Sequence, residues 1–143
     1  MTRSYKQKAL LLCTYCSARK SKEKGKIPAV RRYLSPRIRA VYRESKRKAV
    51  GFAILSGRFG LLGPHQRIPY YDHLLQAGEV PALLPQMAGY LKRKGYRTVH
   101  FYHERARRFP QLTPYLKAIQ RACQTDDVRL KLVELSPVPS QCL

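Results

Sequence analysis

Three short stretches of this 143-residue chain carry side chains capable of chemistry. The first is Cys13-Thr14-Tyr15-Cys16-Ser17-Ala18-Arg19-Lys20, where thiols, hydroxyls and two cations meet. Backbone N–H groups of such a turn, with Ser17, Arg19 and Lys20, can hold a phosphate. Cations beside a thiol favour its thiolate and would make Cys16 a nucleophile. The second stretch runs from Ser56-Gly57-Arg58-Phe59-Gly60 to Tyr70-Tyr71-Asp72. Gly57 and Gly60 permit a tight turn and close backbone approach to a ligand. Tyr70 and Tyr71 offer rings to stack on bases, and Asp72 offers a carboxylate that can orient a ribose or act as a general base. The structural alternative weighs equally: the tyrosines pack, and Asp72 caps a turn before Leu74-Leu75. The third stretch is His103-Glu104-Arg105, in which Glu104 is a second candidate carboxylate, or else a salt-bridge partner of the adjacent arginines.

Cys13-x-x-Cys16 is also half of a zinc-site spacing. Cys123 and Cys142 supply no second pair of that spacing, and a closed site needs four ligands, so no metal or cofactor is expected. A redox dithiol there would lack the helix that directly follows such a motif in thioredoxin-like proteins. Cys13 taken alone reads as a buried strand residue.

The elements that must position these residues follow from hydrophobic periodicity. Short apolar runs at Lys8–Cys13, Val50–Leu55 and Thr98–Tyr102 predict buried strands, and the alternation over Val128–Val133 predicts a half-exposed edge strand. Ser35-Pro36 is a helix-start signal, with Ile38, Val41 and Tyr42 at helical spacing behind it. A second helix spans Val80 to Lys94 and closes at Gly95, and a third opens at Thr113-Pro114. The order is β-α-β-loop-α-β-α-β. The expectation is a single small three-layer α/β domain over residues 1–143, with about four mainly parallel strands flanked by helices. Residues 136–143 form a Pro-containing tail. In such sheets ligands bind beyond the carboxyl ends of the strands, here after Cys13, Leu55 and Tyr102.

Charge names the class of partner. The chain has 29 Lys+Arg against 8 Asp+Glu, a net charge of +21. Residues 1–50 hold 16 of the basic side chains and only 2 of the acidic ones. Arg32, Arg37, Arg43 and Arg47 lie in this basic third and are candidate phosphate contacts, as is Arg58 after the second strand. A chain this basic suits a polyanion, RNA or DNA. Hydrophobic residues at 44% argue against a disordered basic tail. The longest aliphatic run, Ala9–Leu12, is far too short to span a membrane, and no signal-peptide pattern follows the basic N-terminus. A cytoplasmic protein with reduced thiols is expected.

The string Ile54-Leu55-Ser56-Gly57-Arg58-Phe59-Gly60-Leu61-Leu62, then Pro64, Ile68, Tyr71, Asp72 and Leu75, resembles a motif of a family of uncharacterised domains. It is similar to a string in the peroxide-stress YaaA proteins. Cys16-Ser17-Ala18-Arg19-Lys20 and Arg32-Tyr33-Leu34-Ser35-Pro36 resemble that family's upstream motifs in the same order. Together these cover residues 9–76. Tyr70 departs from the pattern, which has Pro directly before the Tyr. The resemblance implies an α/β fold akin to uracil-DNA-glycosylase-like domains and a nucleic-acid or nucleotide substrate class, with N-glycosidic chemistry among the reactions it suggests.

Two functions follow as expectations. One is a nucleic-acid-binding protein whose basic surface contacts phosphates while Tyr70 and Tyr71 stack on unpaired bases. The other is an N-glycosidase or base transferase, with Asp72 as base, Ser56 and the Gly57–Gly60 backbone positioning substrate, and Cys16, Ser17 and Lys20 forming the opposing wall.

Overall fold

The structure, a computed structural model, describes residues 9–105 and 109–135. Lys8, Arg107, Arg108 and the Pro-containing tail lie outside them. Strand β1 (Leu10–Tyr15) is followed by a two-residue strand β2 (Ile27–Pro28), a single turn α1 (Ala29–Arg32) and helix α2 (Pro36–Lys48). Next come β3 (Gly51–Ser56), β4 (Gly60–Leu62), β5 (Arg67–Ile68) and helix α3 (Val80–Lys94). Then β6 (Thr98–His103), helix α4 (Thr113–Thr125) and β7 (Arg129–Glu134) complete the order. The class is the expected mixed α/β fold with a mostly parallel sheet.

Among the described residues the sheet has five strands, the four expected and one more, in the order β4-β3-β1-β6-β7. β1, β3, β6 and β7 are parallel, and β4 adds an antiparallel edge to β3. β4 falls in a segment whose glycines predicted a loop. Its three residues are too few to show a period, so the sequence pattern could not separate them from a turn. β2 and β5 form a separate two-stranded ribbon beside the sheet.

β1 is central and wholly apolar from Leu10 to Cys13, as a strand covered on both faces must be. Its alternate side chains show which helix covers which face. Thr14 Oγ1 accepts a hydrogen bond from Arg37 of α2 at 2.6 Å. The neighbouring Cys13 points the other way, toward Cys123 of α4. Burial pushes both thiols up, Cys123 to about 12, so they are inert core groups. The chain leaves β1 toward β3 and later crosses back to β6, and these opposite crossovers place helices on both faces. The reversal lies between β1 and β6.

Helix α2 begins as its sequence requires. Ser35 Oγ accepts from the Ile38 amide at 3.2 Å and Pro36 occupies the first turn. Gly95 ends α3 in the left-handed conformation with φ 73°.

One buried cation organises the long loop between β1 and α1. Arg32 is fully buried. Its guanidinium donates to the carbonyls of Ser21 at 2.8 Å, Glu23 at 2.9 Å and Gly25 at 2.6 Å. Nε and Nη2 both reach the Ile68 carbonyl, at 3.4 and 3.1 Å. All five guanidinium donors are therefore used, and the loop is tied to β5. Arg32 is thus no phosphate contact, because every donor already faces inward. Replacing Arg32 by Met is expected to destabilise the protein by about 2–4 kcal/mol in urea unfolding. Lys is not expected to rescue it, since an ammonium has three donors and no planar fork. Trypsin should then cut sooner at Lys22, Lys24 and Lys26. A variant as stable and as resistant as the parent contradicts this role.

Candidate functional site

One guanidinium group and a cluster of aromatic rings shape the carboxyl edge of the sheet. Arg37, in the first turn of α2, sits over the Tyr15 ring, its central carbon 3.5 Å from the centroid. Nη1 also donates to the Tyr15 carbonyl at 2.6 Å, and Nη2 to the Cys16 carbonyl at 3.2 Å. Arg37 therefore clamps the last turn of β1. Phe109 stacks on Tyr15 at 5.4 Å, and Tyr115 from α4 tilts against it at 6.1 Å.

Behind this edge runs a line of buried hydroxyls. Tyr33 bonds Tyr71, and Tyr71 bonds Ser56 Oγ at 2.8 Å. Ser56 Oγ accepts from the amides of Arg58 and Phe59 at 3.1 and 3.0 Å. Ser56 has no exposed surface. It is therefore a turn-closing residue rather than a catalytic one, because all its bonding capacity is spent inside the protein. Tyr71 is buried by the same network, so it is not available to stack on a base, whereas Tyr70 is exposed.

The glycines answer packing needs. A side chain at Gly60 would collide with Gln86, and its φ of 79° is left-handed. A Cβ on Gly57 would sit 2.9 Å from the Tyr115 hydroxyl and 3.1 Å from the Leu75 amide. Gly60 is thus not a ligand-approach glycine. Gly57 and Arg58 instead line a shallow cavity of about 350 Å³ between the β3–β4 turn and the start of α3.

A second cavity, also about 350 Å³, opens where the winding reverses, between the ends of β1 and β6. Such reversals are where doubly wound sheets bind ligands. Tyr15, Cys16 and Ser17 from the end of β1, and then Lys20, line one side. Arg37 from α2 and Tyr115 from α4 line others, and Asp72, His73 and Glu104 also border the space. Asp72 and His73 separate it from the shallower cavity. Of the expected residues, Cys16, Ser17, Lys20, Arg37 and Asp72 are brought together with Glu104.

Their individual states differ. Cys16 is buried, and its thiol donates to the Tyr115 hydroxyl at 3.6 Å. Ser17 Oγ donates to the Arg19 carbonyl at 2.8 Å. Lys20 is 7% exposed. Asp72 and Glu104 are exposed and, among the described residues, make no ion pair. Glu104 does not bridge to Arg105, which instead pairs with Glu134 at 3.5 Å. His73 is held by Glu79 at 2.9 Å.

Other expected contacts lie elsewhere. Arg19 is exposed in the loop that follows Ser17. Arg43 and Arg47 are exposed on α2, but α2 runs away from the cavity at 1.5 Å per residue, leaving Arg47 about 15 Å farther along the axis than Arg37. Glu44 holds Arg47 at 2.8 and 2.9 Å. Sequence reasoning missed Tyr115 and Phe109. Their signal was position, since helix starts share the sheet edge at which strands end.

The chain matches no family model, no curated protein and no solved structure.

Burial holds the Tyr33, Tyr71 and Tyr115 hydroxyls well above the ordinary tyrosine range, and raises Tyr90 to about 12. Unfolded tyrosines ionise near pH 10. Below that pH both states keep the protons and the stabilisation is complete. Above it the unfolded chain releases protons that the folded chain retains, so stability falls as pH rises. The urea midpoint is expected to drop steadily above about pH 10, and to drop less steeply in Tyr71→Phe. A midpoint that is flat from about pH 9 to about pH 11 contradicts this network.

Proposed function

We propose that the chain binds nucleic acid, RNA or DNA, through cations at the carboxyl edge of its sheet. The observation that supports this reading is a group of exposed basic side chains in the loop that follows β1. Arg19, Lys22, Lys24 and Lys26 are all exposed and, among the described residues, make no ion pair. Glu23, within the same loop, is taken by Arg31 at 2.8 Å. Loose cations of this kind follow a phosphate backbone and release counterions when they bind it. Exposed Tyr70 supplies a ring for an unpaired base. The net charge of +21 and the motif resemblance favour the same partner. No helix of the described residues is long and apolar enough to cross a membrane. A cytoplasmic location agrees with the three buried free thiols Cys13, Cys16 and Cys123.

Log affinity for a single-stranded oligonucleotide should fall linearly with log salt. Changing Lys22, Lys24 and Lys26 together to Gln should weaken binding and reduce the slope by roughly 2 to 3, about 0.7–0.9 for each phosphate no longer neutralised. Binding that ignores both salt and these substitutions rules the reading out.

A second reading is favoured by one arrangement, the meeting of Asp72, Glu104 and Cys16 around one cavity. In an enzyme acting on a nucleotide or a nucleic-acid base, Asp72 would serve as general base or stabilise an oxocarbenium-like centre, with Glu104 as its partner. Asp72→Asn should then abolish base release while leaving binding within about threefold. If no base release is detected from nucleosides, nucleotides or oligonucleotides with the parent protein, this second reading fails and the first is untouched.

A further inference from the structure

The cavity between β1 and β6 has an inner wall and a mouth of opposite charge. Lining it are buried Lys20 and half-buried Arg37, neither of which touches a carboxylate among the described residues. The Lys20 ammonium lies 4.7 Å over the Tyr71 ring and 5.9 Å from that of Tyr33. Its one hydrogen bond among the described residues runs to the Ala18 carbonyl at 3.3 Å. An ammonium has three donors, so two remain. Arg37 spends three of its five donors on Thr14, Tyr15 and Cys16 and keeps two. Burial lowers its pKa, the sign of a cation short of water, although Glu104 acts on it from beyond contact distance in the opposite sense.

Arg32 shows what a satisfied cation looks like in this fold. That guanidinium is buried, as Lys20 is, with no carboxylate on it among the described residues, yet all five of its donors are bonded. Lys20 is buried with two donors to spare, Arg37 is half-buried with two more, and both line the open volume. Buried charge with spare donors is costly unless an acceptor arrives. A phosphate supplies two negative charges and several acceptor oxygens in one compact group. The mouth carries the complementary pattern. Exposed Asp72 and Glu104 can accept from sugar hydroxyls or from the amino group of a base. A volume of about 350 Å³ suits one nucleotide and excludes a duplex.

We propose that this cavity binds the phosphomonoester of a single nucleotide, with the phosphate inward between Lys20 and Arg37 and the nucleoside outward against Asp72 and Glu104. This deepens the nucleic-acid reading and rests on it for the choice of a nucleotide. The same chemistry has two sources, a free nucleoside monophosphate or the phosphorylated end of a strand.

Calorimetric titration of the whole protein tests it, using the 5′- and 3′-monophosphates of the common ribo- and deoxyribonucleosides, the matching nucleosides, and a short single strand with and without a terminal phosphate. At least one monophosphate or phosphorylated strand should bind about tenfold or more tighter than its unphosphorylated counterpart. Binding of free monophosphates identifies the first source, and preference confined to phosphorylated strands identifies the second. Lys20→Gln should remove that preference, and Lys20→Arg should retain most of it. Because Lys20→Gln disturbs a buried position, phosphorus NMR of the bound monophosphate on the parent protein gives a readout without any variant. Equal affinity for phosphorylated and unphosphorylated probes, or a preference that survives Lys20→Gln, overturns the proposal. Salt-dependent binding of the unphosphorylated strand reports the basic surface separately, so the cavity can fail while that surface stands.

Discussion

Among the described residues, this chain of 29 basic and 8 acidic side chains pairs none of the cations it buries with a carboxylate. Arginine and lysine are almost never fully buried without a partner. Here the partners are carbonyl oxygens and aromatic faces. Arg32 spends its whole fork on four carbonyls of the loop and of β5. Arg37 grips the last carbonyls of β1 and lies on Tyr15. Lys20 sits over Tyr71. Guanidinium suits this arrangement because it is planar, weakly hydrated and rich in donors.

Those interactions shape the functional edge. Arg37 holds the turn in which Cys16 and Ser17 leave the sheet, while Arg32 fixes the loop that presents Lys22, Lys24 and Lys26. Tyr33, Tyr71 and Ser56 close the neighbouring turn from behind. Tyr115 adds a link from α4 by accepting from both Cys16 and the Leu75 amide. The result is a firm floor under a cavity at the reversal of the sheet. Its cations were positioned by folding, yet two of them retain donors that folding did not use.

The parallel strands were legible because β1 and β3 are apolar runs of strand length, and the helices because their caps are explicit at Ser35 and Gly95. Placing Cys16, Ser17 and Lys20 at a ligand edge followed from topology alone. Roles within that edge were less legible. Ser56, Gly57, Gly60 and Tyr71 look like a binding motif when written in a line, but three of the four work mainly in packing or turn closure. Nothing local separates Arg32 from Arg37, since burial of one fork rather than the other depends on where Ile68 and the Ser21–Gly25 carbonyls meet it. Asp72 was recognisable as a rare carboxylate, but its neighbour Glu104 lies 32 residues away and joins it only through the fold.

Amide hydrogen exchange with and without a saturating nucleoside monophosphate tests most directly whether the strand-end cations recognise a nucleotide. The expected result is slowed exchange confined to Cys16–Lys20, the first turn of α2 and the segment around Asp72, with the far end of α2 unchanged. Slowing that appears only around Arg43–Lys48, or no slowing anywhere at saturation, contradicts it.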